Sequence, residues 1–282
     1  MEIIHHVSFN TLSSQDLLPI LIDLGIKTKT TILPGEGGSV VTFDISEHDF
    51  QWRQILPLLK RFLGFKIYSD RDIFETFFSQ DEIRNAEWVR LISMFEQGYP
   101  QPKGNWPFTQ NSLENVCPKC GIYEQKNPLR LYKEPNLGRK SFMSLIGVGE
   151  LFATSLVFST LDKEDITGFE KWNAIIHKTK KPSEIVHQLY IPGIAEPGIV
   201  GTEKMRQVSC PVCGTIKYFP HEKGIMRINR KALKQNIDFF RTYEWFGSGV
   251  TAFREVIVSN KVANLILDHG WVGIRMKVVE SV

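Results

Sequence analysis

Every cysteine of this 282-residue chain lies in one of two five-residue stretches, Cys117-Pro118-Lys119-Cys120-Gly121 and Cys210-Pro211-Val212-Cys213-Gly214. Two thiolates separated by two residues can grip one ion from a single tight turn, which leaves two tetrahedral positions for a second such turn. Proline after the first cysteine fixes φ, and glycine after the second admits the positive φ that brings backbone N–H groups around the sulfurs. Disulfides, a redox pair and buried free thiols are the rival uses of CxxC, and repetition of the whole CPxCG unit favours zinc over them. The expected ligands are Cys117, Cys120, Cys210 and Cys213, holding one structural Zn2+ per chain. The 89 residues between Cys120 and Cys210 far exceed what a compact zinc ribbon needs. Closing so long a loop costs little extra entropy, because the cost grows logarithmically. Any fold built on this site must bring two remote segments to one point, and four sulfurs leave the ion no vacant position for a substrate.

The rest of the composition bounds the class. With 42% apolar residues, 19 Phe and 6 Trp, the chain can bury a sizeable core. Its 34 basic and 31 acidic residues leave a formal charge of +3, too balanced to indicate nucleic acid or an anionic membrane. No basic n-region precedes an apolar stretch at the N-terminus, and no run of about 18 apolar residues occurs. The expectation is a cytoplasmic protein with no membrane association, in a reducing environment that favours thiolates.

Along the chain the expected class is α+β: an N-terminal α/β sandwich over residues 1–110 and a zinc-clasped α+β domain with two knuckles over 111–282. Ile3 to Phe9 reads as a strand. Ser13 and Asp16 open a helix bearing Leu17, Leu18, Leu21 and Ile22, with Gly25 at its end. Thr28 to Leu33 and Ser39 to Ile45 flank a glycine-rich hairpin turn, 34–38, which opens no helix and so is no phosphate cradle. A helix follows from Ser46–Asp49 to Leu63, then an extended stretch from Phe65 to Phe78. Ser79 to Glu82 reads as a capping box before a helix carrying Ile83, Ala86, Val89 and Ile92. Between about 97 and 116 the chain runs through Gly98-Tyr99-Pro100-Gln101-Pro102-Lys103-Gly104-Asn105-Trp106-Pro107, rich in breakers, which places the domain boundary there.

The second part echoes itself. A shift of 105 residues superposes Thr154, Val157, Leu161, Ile166, Gly168 and Phe169 on Ser259, Val262, Ile266, Trp271, Gly273 and Ile274, a short helix running into a strand each time. The knuckles differ by 93, so the echo implies two related halves with different insertions. Between them, His187 to Ile194 and Gly198 to Val200 have strand character broken by Pro192 and Pro197, which suits edges or loops.

The two CPxCG units, together with Asp238 to Thr242, Val256 to Ser259 and Gly273 to Arg275, resemble the bacterial double-CxxCG motif family over roughly residues 115–280. Some members of that family act as immunity proteins that neutralise partner toxins. The resemblance implies the same four cysteine ligands, a shared C-terminal helix–strand unit and a protein partner. Residues 1 to about 110 fall outside it.

No GxSxG, HExxH, P-loop or GxGxxG is present, and the seven histidines are scattered, so catalysis has no positive support. His5 and His6 point to opposite faces of a strand. His221 is a candidate hydrogen-bond partner for a metal-bound thiolate, or an exposed turn residue, and His269 sits near a helix C-terminus. The acidic pairs Glu47/Asp49, Asp70/Asp72 and Asp81/Glu82 read as caps or solvated faces. Lys217, Lys223, Arg227, Arg230, Lys231 and Lys234, interleaved with Tyr218, Phe219 and His221, make nucleic-acid binding the competing function, with a solvated positive face as the plainer reading. Phe239, Phe240, Tyr243, Trp245, Phe246 and Phe253 offer either a protein-binding hot spot or core.

Overall fold

The computed structural model describes all residues except 36, 64–72, 105–106, 109–110 and 234–235. Glu36 of the hairpin turn, Asp70 and Asp72, Trp106, Lys234 and the first part of the expected extended stretch 65–78 therefore lie outside the described residues. The chain is mixed α+β and forms two compact units, residues 1–79 with 222–224 and residues 80–221 with 225–282. No helix among the described residues is long and apolar enough to cross a membrane.

The first unit has an antiparallel sheet of β1 (Glu2–Asn10), β2 (Lys29–Ile32), β3 (Ser39–Ser46) and β4 (Ile73–Phe77), in the order β2-β3-β1-β4. Alternation along β1 buries Ile3, His5, Val7 and Phe9 on one face. Helices α1 (Leu17–Asp23) and α2 (Phe50–Leu63) cover that face with Leu17, Leu21, Trp52, Ile55 and Leu59. The turn between β2 and β3 is closed by Leu33 N donating to Gly38 O at 3.0 Å. His5 is buried and stacks on Trp52 at 4.2 Å, while His6 reaches Asp44 on the other face.

The second unit starts with α3 (Gln80–Arg84) and β5 (Trp88–Ser93). The expected single helix through Ile92 thus breaks after one turn. Trp88, Val89, Arg90 and Leu91 are all buried, so the segment is a strand covered on both faces, and the loss of apolar–polar alternation lets Val89 and Ile92 continue the helical spacing of Ile83 and Ala86. Because β5 pairs with strands from the far end of the chain, the division between units falls after Ser79, ahead of the boundary expected near 110.

The strands that follow are β6 (Leu113–Glu114), β7 (Glu124–Gln125), β8 (Arg130–Leu131), β9 (Phe142–Ser144) and β10 (Leu151–Thr154). Helix α4 (Ser155–Lys163) leads into β11 (Glu170–Ile176) and β12 (Pro182–Tyr190). Then come β13 (Gln207–Ser209), β14 (Ile216–Tyr218), β15 (Met226–Ile228), β16 (Phe239–Arg241), β17 (Trp245–Phe246), β18 (Val256–Ser259), α5 (Asn260–Asp268) and β19 (Ile274–Ser281). Among the described residues these build two five-stranded sheets, β8-β11-β12-β10-β9 and β15-β19-β5-β18-β16. β12, which ends with His187 to Tyr190, occupies the centre of the first sheet, in place of the edge or loop expected from Pro192 and Pro197. Both prolines follow its end, so neither interrupts the ladder.

The two sheets are the same object. Ala153 faces Phe142 and His187, and its counterpart Val258 faces Phe239 and Val89. Leu151 faces Ser144 and Leu189 as Val256 faces Arg241 and Leu91. Lys171 meets Leu189 as Met276 meets Leu91. The edge strands β8 and β15 both run parallel to their neighbours. Helices α4 and α5 bury Val157, Phe158 and Leu161 and the matching Val262, Ala263 and Ile266. The internal echo is therefore a duplication of a sheet-and-helix unit, in which the second copy takes its central strand, β5, from the start of the unit.

The copies clasp each other reciprocally. Gly168 and Gly273 have φ of 88° and 106°, and a Cβ at either would run into the backbone carbonyl oxygen of Phe239 or Phe142, on an edge strand of the opposite copy, β16 or β9. Phe239 N donates to Thr167 O and Phe142 N to Val272 O, each at 3.1 Å. Alanine at either glycine meets both a forbidden φ and a backbone clash, so Gly168→Ala and Gly273→Ala should each cost about 2 kcal/mol or more in urea unfolding. A change below the error of that measurement at both positions would show that the close approach is not what holds the copies together.

Candidate metal centre

The two knuckles fold identically because their sequences impose the same turn. Cys117 N donates to Ile122 O and Cys210 N to Thr215 O, both at 2.9 Å, while Gly121 N returns to Cys117 O and Gly214 N to Cys210 O. Both glycines have φ of 72°, the left-handed value that a side chain would resist. The turns meet: Cys117 Sγ lies 3.8 Å from Cys210 Sγ, Cys120 Sγ lies 3.6 Å from Cys213 Sγ, and all four sulfurs fall within 4.8 Å of one another. A tetrahedral ion with metal–sulfur bonds near 2.3 Å would set sulfurs about 3.8 Å apart, and a disulfide would need about 2.05 Å. The cluster could thus hold one metal ion, and its donors are four free thiols from segments 93 residues apart.

The local electrostatics differ between the sulfurs. Burial pushes the Cys120 thiol up to about 12. The hydroxyl and N–H of Thr215 pull Cys213 down to about 6, and the backbone N–H groups of Cys120 and Lys119 lower Cys117. N–H groups directed at sulfur favour the thiolate, the form that a metal binds.

Lys217 was grouped above with a basic surface stretch, yet it is buried beside the cluster. Its ammonium donates to Cys120 O and Gly249 O at 2.7 Å and to Thr251 O at 2.9 Å, so all three protons are used. Burial lowers its pKa and the four cysteine charges raise it. Sequence alone gave no signal for this role beyond its place four residues after Cys213.

The remaining basic residues are largely neutralised. Lys223 pairs with Glu47 at 2.6 Å, Arg227 with Glu280 at 2.8 Å and Arg230 with Glu87 at 3.0 Å. The aromatic stretch splits: Phe239, Phe240 and Phe246 are core, Trp245 and Phe253 are half-buried, and Tyr243 is exposed. His269 caps α5 and stacks on Trp271. Glu47 is the acid of its pair that is most engaged, bonded to His5 and Lys223, and Asp49 accepts from Ser46 N in the cap of α2.

His221 forms no hydrogen bond to a sulfur. Its carbonyl accepts from Arg90 at 2.7 Å, and its buried Nδ1 has no partner among the described residues. Burial, aided by the charges of Arg90 and Lys277, pulls it down to about 4.

No protein-family model matches this chain, and no curated protein is similar to it.

An unfolded histidine titrates near 6.5, so between that value and about 4 the unfolded chain binds a proton that native His221 refuses. Stability therefore falls as pH is lowered through this window. From pH 7 to pH 5 the loss assignable to His221 should be about 2 kcal/mol. Urea titrations at the two pH values check it: His221→Asn should remove that part of the slope, and an unchanged slope would contradict the assignment.

Proposed function

We propose that this chain is a zinc-stabilised protein-binding protein of the immunity kind, which neutralises a partner toxin and is not an enzyme. The supporting observation is the four-sulfur cluster with exposed apolar side chains beside it. Cys117, Cys120, Cys210 and Cys213 fill a tetrahedral zinc ion, so the metal serves folding and offers no position for substrate. Next to the second knuckle, Val208, Val212, Ile216 and Tyr243 are exposed, and a groove of about 770 Å³ is lined by Val200, Ile216, Tyr218, Tyr243 and Trp245. Exposed apolar and aromatic side chains beside a rigid turn suit a protein contact. The competing nucleic-acid reading loses ground, since Lys217 is buried and Lys223, Arg227 and Arg230 already have carboxylate partners.

Elemental analysis of protein purified without chelators should give one zinc per chain. Cys117→Ser and Cys210→Ser should each lower metal content and melting temperature together, because ligand loss removes binding energy that is folding energy. One zinc retained after either change would refute the link.

Function is tested by co-expression with the product of the adjacent gene. Protection from its toxicity and a stable complex are expected, with both lost in Val212→Asp/Ile216→Asp at unchanged melting temperature. Binding to mixed-sequence DNA or RNA that weakens steeply with salt, without protection, would favour the nucleic-acid role instead.

A further inference from the structure

Duplication gives the second unit two equivalent interior positions, and the chain fills only one of them. In the first, Glu150 accepts from Tyr123, and Arg241 lies over the Tyr190 ring at 5.8 Å with its charge acting on Glu150. Only about 20 Å³ remains open there, room for a single water. The second position carries Glu255, the counterpart of Glu150, but three bulky neighbours are replaced by smaller residues. Register puts Ser144 where Arg241 stands and Ile92 where Tyr190 stands. The 105-residue shift likewise puts Val148 in place of Phe253. The result is a cavity of about 230 Å³, the size of a fragment-like ligand.

Its polar lining is unfinished. Ser144 is fully buried, and its Oγ has no hydrogen-bond partner among the described residues. A buried hydroxyl left unpaired costs free energy that a bound group would recover. Arg90 holds Oε1 of Glu255 at 2.9 Å, which balances one carboxylate, and the exposed Glu96 of the lining has no ion-pair partner among the described residues. Arg254 also borders the cavity, but its guanidinium is turned to the Trp245 ring, 4.4 Å away, and donates to Thr242 O and Tyr243 O. Ile92, Val148 and Phe253 supply apolar wall.

We propose that this cavity binds a guanidinium group on a short aliphatic stem, seated where the sister position holds the side chain of Arg241. The charged end meets Glu96 and the Ser144 hydroxyl, and the stem lies along the apolar wall. Such a group can come from a free metabolite or from an arginine presented by a protein. The inference is independent of the partner-binding role proposed above.

The test is titration of the full-length, metal-loaded chain with butylguanidinium, followed by amide chemical shifts. Saturable shifts at Ser144, Val148 and Phe253 are expected, with binding by the uncharged isostere butylurea weaker by roughly tenfold, the worth of one charge-assisted contact. Glu96→Gln, at an exposed position, should weaken butylguanidinium to a similar extent, and Val148→Phe, which copies the sister residue, should block it. Tighter binding of an acetyl-Gly-Arg-Gly-amide peptide than of butylguanidinium would identify a protein-borne arginine as the source, and the reverse order a small molecule. Equal binding of butylurea, unchanged binding to Glu96→Gln, or no saturable shift at these residues would overturn the proposal.

Discussion

Four thiols from two turns meet at one point, and the rest of the second unit is arranged so that they can. Thiolates gathered within 4.8 Å repel one another strongly unless a cation stands among them. A divalent ion in a four-thiolate shell still carries net negative charge, and buried charge of that kind needs a counter-ion. Lys217 supplies it from within the fold. Its three protons are committed to carbonyls of Cys120, Gly249 and Thr251, so the ammonium is fixed where the charge is needed and ties the first knuckle to the loop before β18. The clasp is thus a unit of five side chains, four of them cysteines.

The duplication explains why the clasp has this form. Each copy contributes one knuckle, and the sulfurs approach in matched pairs, Cys117 with Cys210 and Cys120 with Cys213. The same reciprocity recurs on the strands, where a positive-φ glycine of each copy lies against an edge strand of the other. Half a metal site has little affinity and half an interface has little area, so both features become useful only when the copies are joined. A long intervening segment costs little because loop entropy rises only logarithmically with length.

The parts of this arrangement carried by short, chemically strict signals were legible in the sequence. Proline, glycine and cysteine at fixed spacing specify a turn with little dependence on surroundings, and paired helix–strand units announce themselves through Val157, Leu161 and Gly168 against Val262, Ile266 and Gly273. The features that depend on tertiary neighbours were not. β5 reads as a helix because a strand buried on both faces loses its period-two alternation. Lys217 reads as a surface cation because a buried lysine differs from an exposed one only in what surrounds it. Phe239, Phe240 and Phe246 could equally have been a docking patch, and only the packing of β16 and β17 assigns them to the core.

The divergence between the copies follows from one shared burden, a glutamate in the segment leading into the strand next to one edge of each sheet, β10 or β18. Glu150 and Glu255 occupy equivalent places, and each has an arginine near it, yet the arginine comes from a different strand in each copy. Arg90 reaches Glu255 from the central strand, where the first copy has Gln188 bonded to the Leu129 N–H. Arg241 serves Glu150 from the edge strand, where the second copy has Ser144. Either route offsets the carboxylate, but they differ in volume: an arginine on the edge strand fills the interior beside it, while one on the central strand leaves that interior open. Moving the cation from edge to centre, together with the smaller Ile92 and Val148 on the wall, therefore opens a cavity in one copy without uncovering its buried charge, and the packed copy preserves a record of what that space can hold.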